Sequence, residues 1–183
     1  MSHRHLRTDN GNRPRTVFFD LDSTLCNTSQ RHHLINQEDK PSTDWVAFSM
    51  ACGEDTPFPG AVRLAQLLYE TGFRIVILTG RDEPARNLTV SWLLRHGVSF
   101  DDLLMRVEGD DRHNPEYKAD RIVEYCEQTG AIPELLVDDW PATSDAVSGV
   151  CPVVVTNPMY GTPTAPLMVA DANGMEGEAL YVK

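Results

Sequence analysis

Three times in this chain a short run of aliphatic, aromatic or β-branched residues ends abruptly on a side chain capable of chemistry. Thr16–Val17–Phe18–Phe19 runs into Asp20, Phe73 to Leu78 runs into Thr79, and Leu135–Leu136–Val137 runs into Asp138. Apolar residues on consecutive positions, broken only by Arg74 in the second run, mark strands buried on both faces rather than strands with one wet side. Helical patterns lie between them. Pro59–Gly60 opens one through Val62, Ala65 and Leu68 that Gly72 stops, and a second starts near Pro84, carries Leu88, Trp92 and Leu93 and ends at Gly97. Asn114–Pro115 reads as the N-cap and first position of a third, through Ile122, Val123 and Cys126 to Gly130. Leu103–Leu104–Met105 and Val153–Val154–Val155 supply further strands. This alternation predicts an α/β fold, a parallel sheet with helices on both faces and right-handed crossovers. Ligands of such sheets sit at the C-terminal strand ends, so Asp20, Thr79 and Asp138 should converge on one edge.

The core is read over residues 16–156, one domain of a 183-residue chain. Residues 1–15 are polar and basic and are expected to form a flexible arm. A polar insert over 25–58, with the amphipathic patch Trp45, Val46 and Phe48, is expected to be a small helical lid. Trp45 and Phe48, three residues apart, suit the interior of such a lid better than a platform for stacking on a base. Residues 157–183, rich in Pro, Gly and Ala, read as a tail with room for a small terminal strand. No apolar run approaches the roughly 20 residues that span a bilayer, so no membrane association is expected and the cytoplasm is the expected compartment. A net charge of −11 repels a phosphate backbone and argues against tight duplex binding. Cys26, Cys52, Cys126 and Cys151 show no CxxC pair and read as buried thiols.

Asp20 and Asp22, two residues apart just past a strand end, can both face a ligand, one attacking phosphorus while the other handles a proton. A DxD alone is as well explained by a turn or a surface calcium contact. Thr79–Gly80–Arg81 offers a hydroxyl, open backbone amides and a charged fork, which suit a phosphate; a strand-to-helix turn with Arg81 in solvent is the plainer reading. Lys118 near a helix start opposes the helix dipole, an unexpected place for a cation. Asp138 and Asp139 repel each other, and a divalent cation is the usual relief.

In order, strand–DxDxT, strand–Thr–Gly–Arg, Lys, strand–Asp–Asp resembles the four-motif series of the haloacid dehalogenase-like (HAD) superfamily, over Thr16 to about Thr156. The resemblance implies a Rossmann-like, doubly wound core with a small lid insert, and one Mg2+ held by Asp20, Asp22 (through its carbonyl), Asp138 and Asp139. It implies Asp20 as the nucleophile that becomes a phosphoaspartate, Asp22 as the acid and base, and Thr79 and Lys118 as holders of the transferring phosphoryl group. An acid at Asp22 points, within the superfamily, to phosphate ester hydrolysis. A signalling receiver domain also uses acids, a Thr and a Lys, but its acidic pair comes first, whereas here the Asp–Asp pair comes last.

The stretch Ile75 to Arg81, with Met105–Arg106, Gly109 to Arg112, Tyr117–Lys118 and Val137 to Asp139, is similar to the 3′-phosphatase domain of phage-type polynucleotide kinases. That similarity implies Gly80, Arg81, Arg106 and Arg112 as substrate-binding residues and a nucleotide or nucleic-acid 3′-end as substrate. Salt bridges to Glu108, Asp110 and Asp111 are the plainer use of Arg106 and Arg112. No GxxxxGK[ST] loop accompanies these motifs, so no kinase half is expected, and phosphatase action on free mononucleotides stays open beside polynucleotide ends.

Overall fold

The structure, a computed structural model, describes residues 6–9, 11–35, 45–107, 109–156 and the backbone of 168–170. After β1 (Arg15–Phe19), a two-stranded ribbon of β2 (Cys26–Asn27) and β3 (Thr56–Pro57) closes the base of the insert, inside which lies α1 (Trp45–Met50). There follow α2 (Pro59–Glu70), β4 (Arg74–Asp82), α3 (Arg86–Arg95), β5 (Asp102–Arg106), α4 (Asn114–Thr129), β6 (Ile132–Asp138), α5 (Pro141–Val147), β7 (Val153–Val155) and β8 (Met168–Ala170).

The main sheet has the order β5-β4-β1-β6-β7-β8; its first five strands are parallel and β8 is antiparallel on the edge. Alternate residues of each central strand feed two separate cores. Val17, Phe19, Ile75, Ile77 and Val137 pack with Val62 and Ala65 of α2 and Trp92 and Leu93 of α3. Phe18, Val76, Leu78 and Leu136 pack on the other face with Tyr117, Ile122 and Tyr125 of α4 and Val147 of α5. The sheet is doubly wound, as expected. The chain leaves β1 toward one face and β6 toward the other, and the crevice between their C-terminal ends is the switch point where such sheets bind ligands.

Three boundaries differ from the sequence expectation. β4 continues through Thr79–Gly80–Arg81 to Asp82 after a register break beyond Leu78, so these residues lie in a strand end and not in a turn. α4 starts at its expected cap, Asn114, one residue early. His113 is the N-cap, and the Asn114 side chain is free of capping because Arg106 holds it. α5 had no counterpart in the sequence reading: seven residues, four of them Thr, Ser, Asp and Pro, carry too little apolar periodicity to register.

Of the arm read over 1–15, the described part turns back on itself through Asp9 and Arg13 and pairs with the core: the Arg7 amide donates to the Gly72 carbonyl and Arg7 lies over the Phe73 ring. The expected terminal strand is β8; the rest of the tail lies outside the described residues. No helix among the described residues is long and apolar enough to cross a membrane. All four cysteines are free thiols.

The insert is fastened to the core by Trp92 of α3. Its ring is fully buried, and its indole N–H donates to the Asp55 carbonyl at 2.7 Å. Replacing Trp92 with Ala removes a large apolar body and leaves that carbonyl unpaired, and should destabilise the fold by about 3–5 kcal/mol. Urea unfolding monitored by circular dichroism gives the measurement.

Candidate active site

Asp20 follows β1 directly, its amide donating to the Val137 carbonyl, so β6 fixes its backbone beside Asp138. Asp138 ends β6 and is fully buried; its Oδ1 accepts the Trp140 amide at 2.9 Å and its Oδ2 accepts Lys118 Nζ at 2.5 Å. Lys118, delivered by α4, also lies 2.9 Å from Asp20 Oδ1. This explains a cation near a helix start: its partners are two buried carboxylates, not the dipole. Half-buried Asp139 completes a cluster in which Asp20, Asp138 and Asp139 each offer an oxygen within 4.8 Å of the others.

Three carboxylates face one ammonium, and the imbalance shows in the titration of Asp20 and Asp139. Burial, only partly opposed by Lys118, and the neighbouring Asp138 and Asp139 push the Asp20 carboxyl up to about 8. Burial and Asp138 push Asp139 up to about 7. Burial works against the charge of Lys118, but Asp138 and Asp20 outweigh it and hold the ammonium above its usual range. A hard divalent cation is what such an all-oxygen, net-negative group fits.

Asp22 belongs to a different kind of cluster. Arg81 Nη2 donates to its Oδ1 at 2.5 Å, and Arg31 Nη2 donates to the same oxygen. Both arginines also bind Asp55, at 3.0 Å from Arg81 and 2.7 Å from Arg31. Burial alone would raise the Asp22 carboxyl, but Arg81 and Arg31 overcome it and bring it down to about 2. Two carboxylates and two guanidiniums make this group electrically closed. Cys26 lies beside Asp22 and Asp55 with donor atoms close enough for a metal, yet the two buried guanidiniums already fill that role, and burial keeps the Cys26 thiol well above its usual range.

Thr79 is fully buried in β4, and its Oγ accepts the Arg81 amide at 3.2 Å, which leaves the hydroxyl proton to donate elsewhere. At Gly80 a Cβ would come within 2.7 Å of Asn114 Oδ1, so a glycine lets α4, and Lys118 with it, approach β4.

The arginines expected around a phosphate are otherwise engaged. Arg81 is wholly buried against Asp22 and Asp55. Arg106 stacks on Tyr117 at 4.1 Å and donates to the carbonyls of Asp110 and Arg112 and to Asn114 Oδ1. Arg112 pairs with Asp110 and Asp120. The salt-bridge reading of Arg106 and Arg112 therefore holds for Asp110, with Asp120 in place of Asp111; Glu108 lies outside the described residues. Trp45 and Phe48 divide: Phe48 is buried, whereas Trp45 is 58% exposed. Sequence reasoning missed Arg31, Asp55 and Asn114. The first two sit in an insert without periodicity; Asp55 meets Arg81 26 positions away and Arg31 24 positions away, pairings no local pattern displays.

The family model described as HAD superfamily, subfamily IIIB (acid phosphatase), matches residues 2–163. Acid phosphatase 1 of Solanum lycopersicum is 28% identical over 162 residues, 83% of this chain and 61% of that protein. The chain thus spans less than two thirds of the length of that curated relative. A solved Pnkp1/Rnl/Hen1 complex contains a chain with the same fold, at a TM-score of 0.61 and 24% identity over 85% of this chain and 50% of that one. The class C acid phosphatase from Bacillus anthracis with tungstate bound superposes at a TM-score of 0.53 and 17% identity, over 69% of this chain and 52% of that one.

The protonation of Asp20 and Asp139 has a measurable sign. Both carboxyls sit above the ordinary 3.8 in the folded state, so folding retains protons. In chelator, stability should be greatest near pH 4 and decline as pH rises to about 8. Added Mg2+ should raise the melting temperature most at the alkaline end, as differential scanning fluorimetry across pH will read.

Proposed function

The chain belongs to the HAD superfamily, subfamily IIIB (acid phosphatase), and we propose that it is a Mg2+-dependent phosphomonoesterase acting through Asp20 on the 3′-phosphate of a polynucleotide end. The observation that carries the chemistry is the net-negative cluster of Asp20, Asp138 and Asp139 closed on one side by Lys118. These carboxylates, with the Asp22 carbonyl, would hold the metal. When bound, Mg2+ supplies positive charge that favours the ionised form of Asp20 and neutralises the transferring phosphoryl group.

In this reading an Asp20 oxygen attacks phosphorus, the bond from phosphorus to the leaving oxygen breaks, and that oxygen takes a proton from Asp22. Water then attacks the phosphoaspartate and gives its proton to the Asp22 carboxylate, releasing inorganic phosphate and Asp20. Lys118 and the Thr79 hydroxyl hold the phosphoryl oxygens throughout, by charge and by hydrogen bond. Because Arg81 and Arg31 keep free Asp22 ionised, its first proton arrives with the substrate, as the monoanion of a phosphate ester whose second pKa is about 6.

The substrate assignment is supported by the likeness of the second and third motifs to polynucleotide 3′-phosphatases and by the shared fold with a chain of an RNA repair complex. The descriptions of the acid-phosphatase family model and the tomato relative specify no polynucleotide, which keeps a second reading, hydrolysis of free mononucleotides, beside the first.

Phosphate release should be Mg2+-dependent, abolished by EDTA and reduced by at least about 10³-fold in Asp20→Asn, the loss of a covalent route. Comparing a 3′-phosphorylated oligonucleotide with free 3′- and 5′-nucleotides separates the two substrates; faster turnover of the free nucleotides rejects the polynucleotide reading and spares the chemistry. For alkyl phosphates, kcat/KM should decline above about pH 6, where the monoanion disappears, in a pH–rate profile at saturating Mg2+.

A further inference from the structure

We propose that Phe48 is a positioning residue for Asp22, so that the insert and not the sheet aims the proton transfer; the inference rests on the reading of Asp22 as acid and base. Two separate chains of contact run from Phe48 to Asp22. The first passes through Arg31. Its guanidinium lies 3.9 Å from the centroid of the Phe48 ring, and its Nη1 donates to the Phe48 carbonyl at 2.9 Å. The remaining donors bind Asp55, at 3.0 Å from Nε and 2.7 Å from Nη2, and Nη2 also reaches Asp22 Oδ1. A planar fork fixed at ring, carbonyl and carboxylate has no rotation left, so the place of Phe48 decides where the Arg31 donor meets Asp22.

The second chain passes through His32, stacked on the same ring at 6.4 Å. His32 Nε2 is 2.9 Å from Thr28 Oγ1, which is 3.0 Å from Ser23 Oγ. Ser23 immediately follows Asp22 and holds a left-handed φ of 65°, a conformation a non-glycine residue keeps only when its surroundings enforce it. Phe48 therefore braces the Asp22 carboxylate by one route and the backbone beside it by the other.

Arg81 binds Asp22 independently of α1. Loosening Phe48 should leave the carboxylate charged and half-buried but misdirected. Such a defect is selective. A leaving oxygen that departs as a stable anion needs no proton, while an alkoxide does. Phe48→Leu keeps most of the apolar volume and removes the ring face. Its kcat/KM, which reports only the steps up to departure of the leaving oxygen and not the shared hydrolysis of the phosphoaspartate, should fall about 10- to 100-fold on glycerol 2-phosphate and stay within about twofold on p-nitrophenyl phosphate. Phe48→Tyr, which keeps the face, should behave as wild type.

Thr28→Val, nearly isosteric, cuts only the hydroxyl link and should show the same selectivity more weakly; it carries the test if Phe48→Leu does not fold. Asp22→Asn is measured on the same two substrates. If Asp22→Asn lowers kcat/KM equally on both, the acid–base reading fails and the inference with it. If Asp22→Asn discriminates while folded Phe48→Leu and Thr28→Val treat both substrates as the wild type does, or lose both equally, positioning by Phe48 is overturned and the reading of Asp22 stands.

Discussion

Three carboxylates held against one lysine at the end of the sheet are the constraint on which the rest of this structure turns. Burying like charges together is unfavourable unless something pays the difference, and here the register of β1 on β6 enforces it: the Asp20 amide is bound to the Val137 carbonyl and Asp138 is the last residue of its strand. Lys118 of α4 offsets part of the charge, and Gly80 leaves room for its helix to come close. What remains is a negative deficit in a crevice that the doubly wound topology leaves open.

A few ångströms of chain away, Asp22 and Asp55 show the opposite solution. By composition the two clusters look alike, each an acidic group with metal-ligand geometry. The difference is the cation the fold brings to each: one ammonium for three acids, or two guanidiniums for two. In the first group the carboxyls of Asp20 and Asp139 are pushed above their ordinary range, whereas in the second the arginines hold Asp22 below it. The contrast matches the division of labour proposed for Asp20 and Asp22, one bound to metal and phosphorus, the other moving protons.

How far the sequence foretold this depends on the range of the interaction. Asp20, Thr79 and Asp138 were legible because a strand end places them, and strand ends follow from local apolar runs; Lys118 became legible through its order among them. The arginines were not. A guanidinium reaches several ångströms in any direction, and whether Arg81 meets a phosphate or Asp22 is decided by Arg31 and Asp55, folded in from an insert without period. α5 escaped notice for want of apolar residues, and the cap of α4 shifted because Asn114 had a tertiary partner in Arg106.

The closed quartet of Asp22, Asp55, Arg31 and Arg81 also limits how this chain can diverge. Removing any one member strands a buried charge, at a cost of about 3–5 kcal/mol, a large share of the stability of an ordinary domain. Its four positions are thus tied together under selection: drift that samples one residue at a time is blocked there, and only concerted replacement escapes. The exposed rim, with Trp45 and Trp140, carries no such debt. Descendants of this sequence would be expected to change exposed positions such as these long before any member of the quartet.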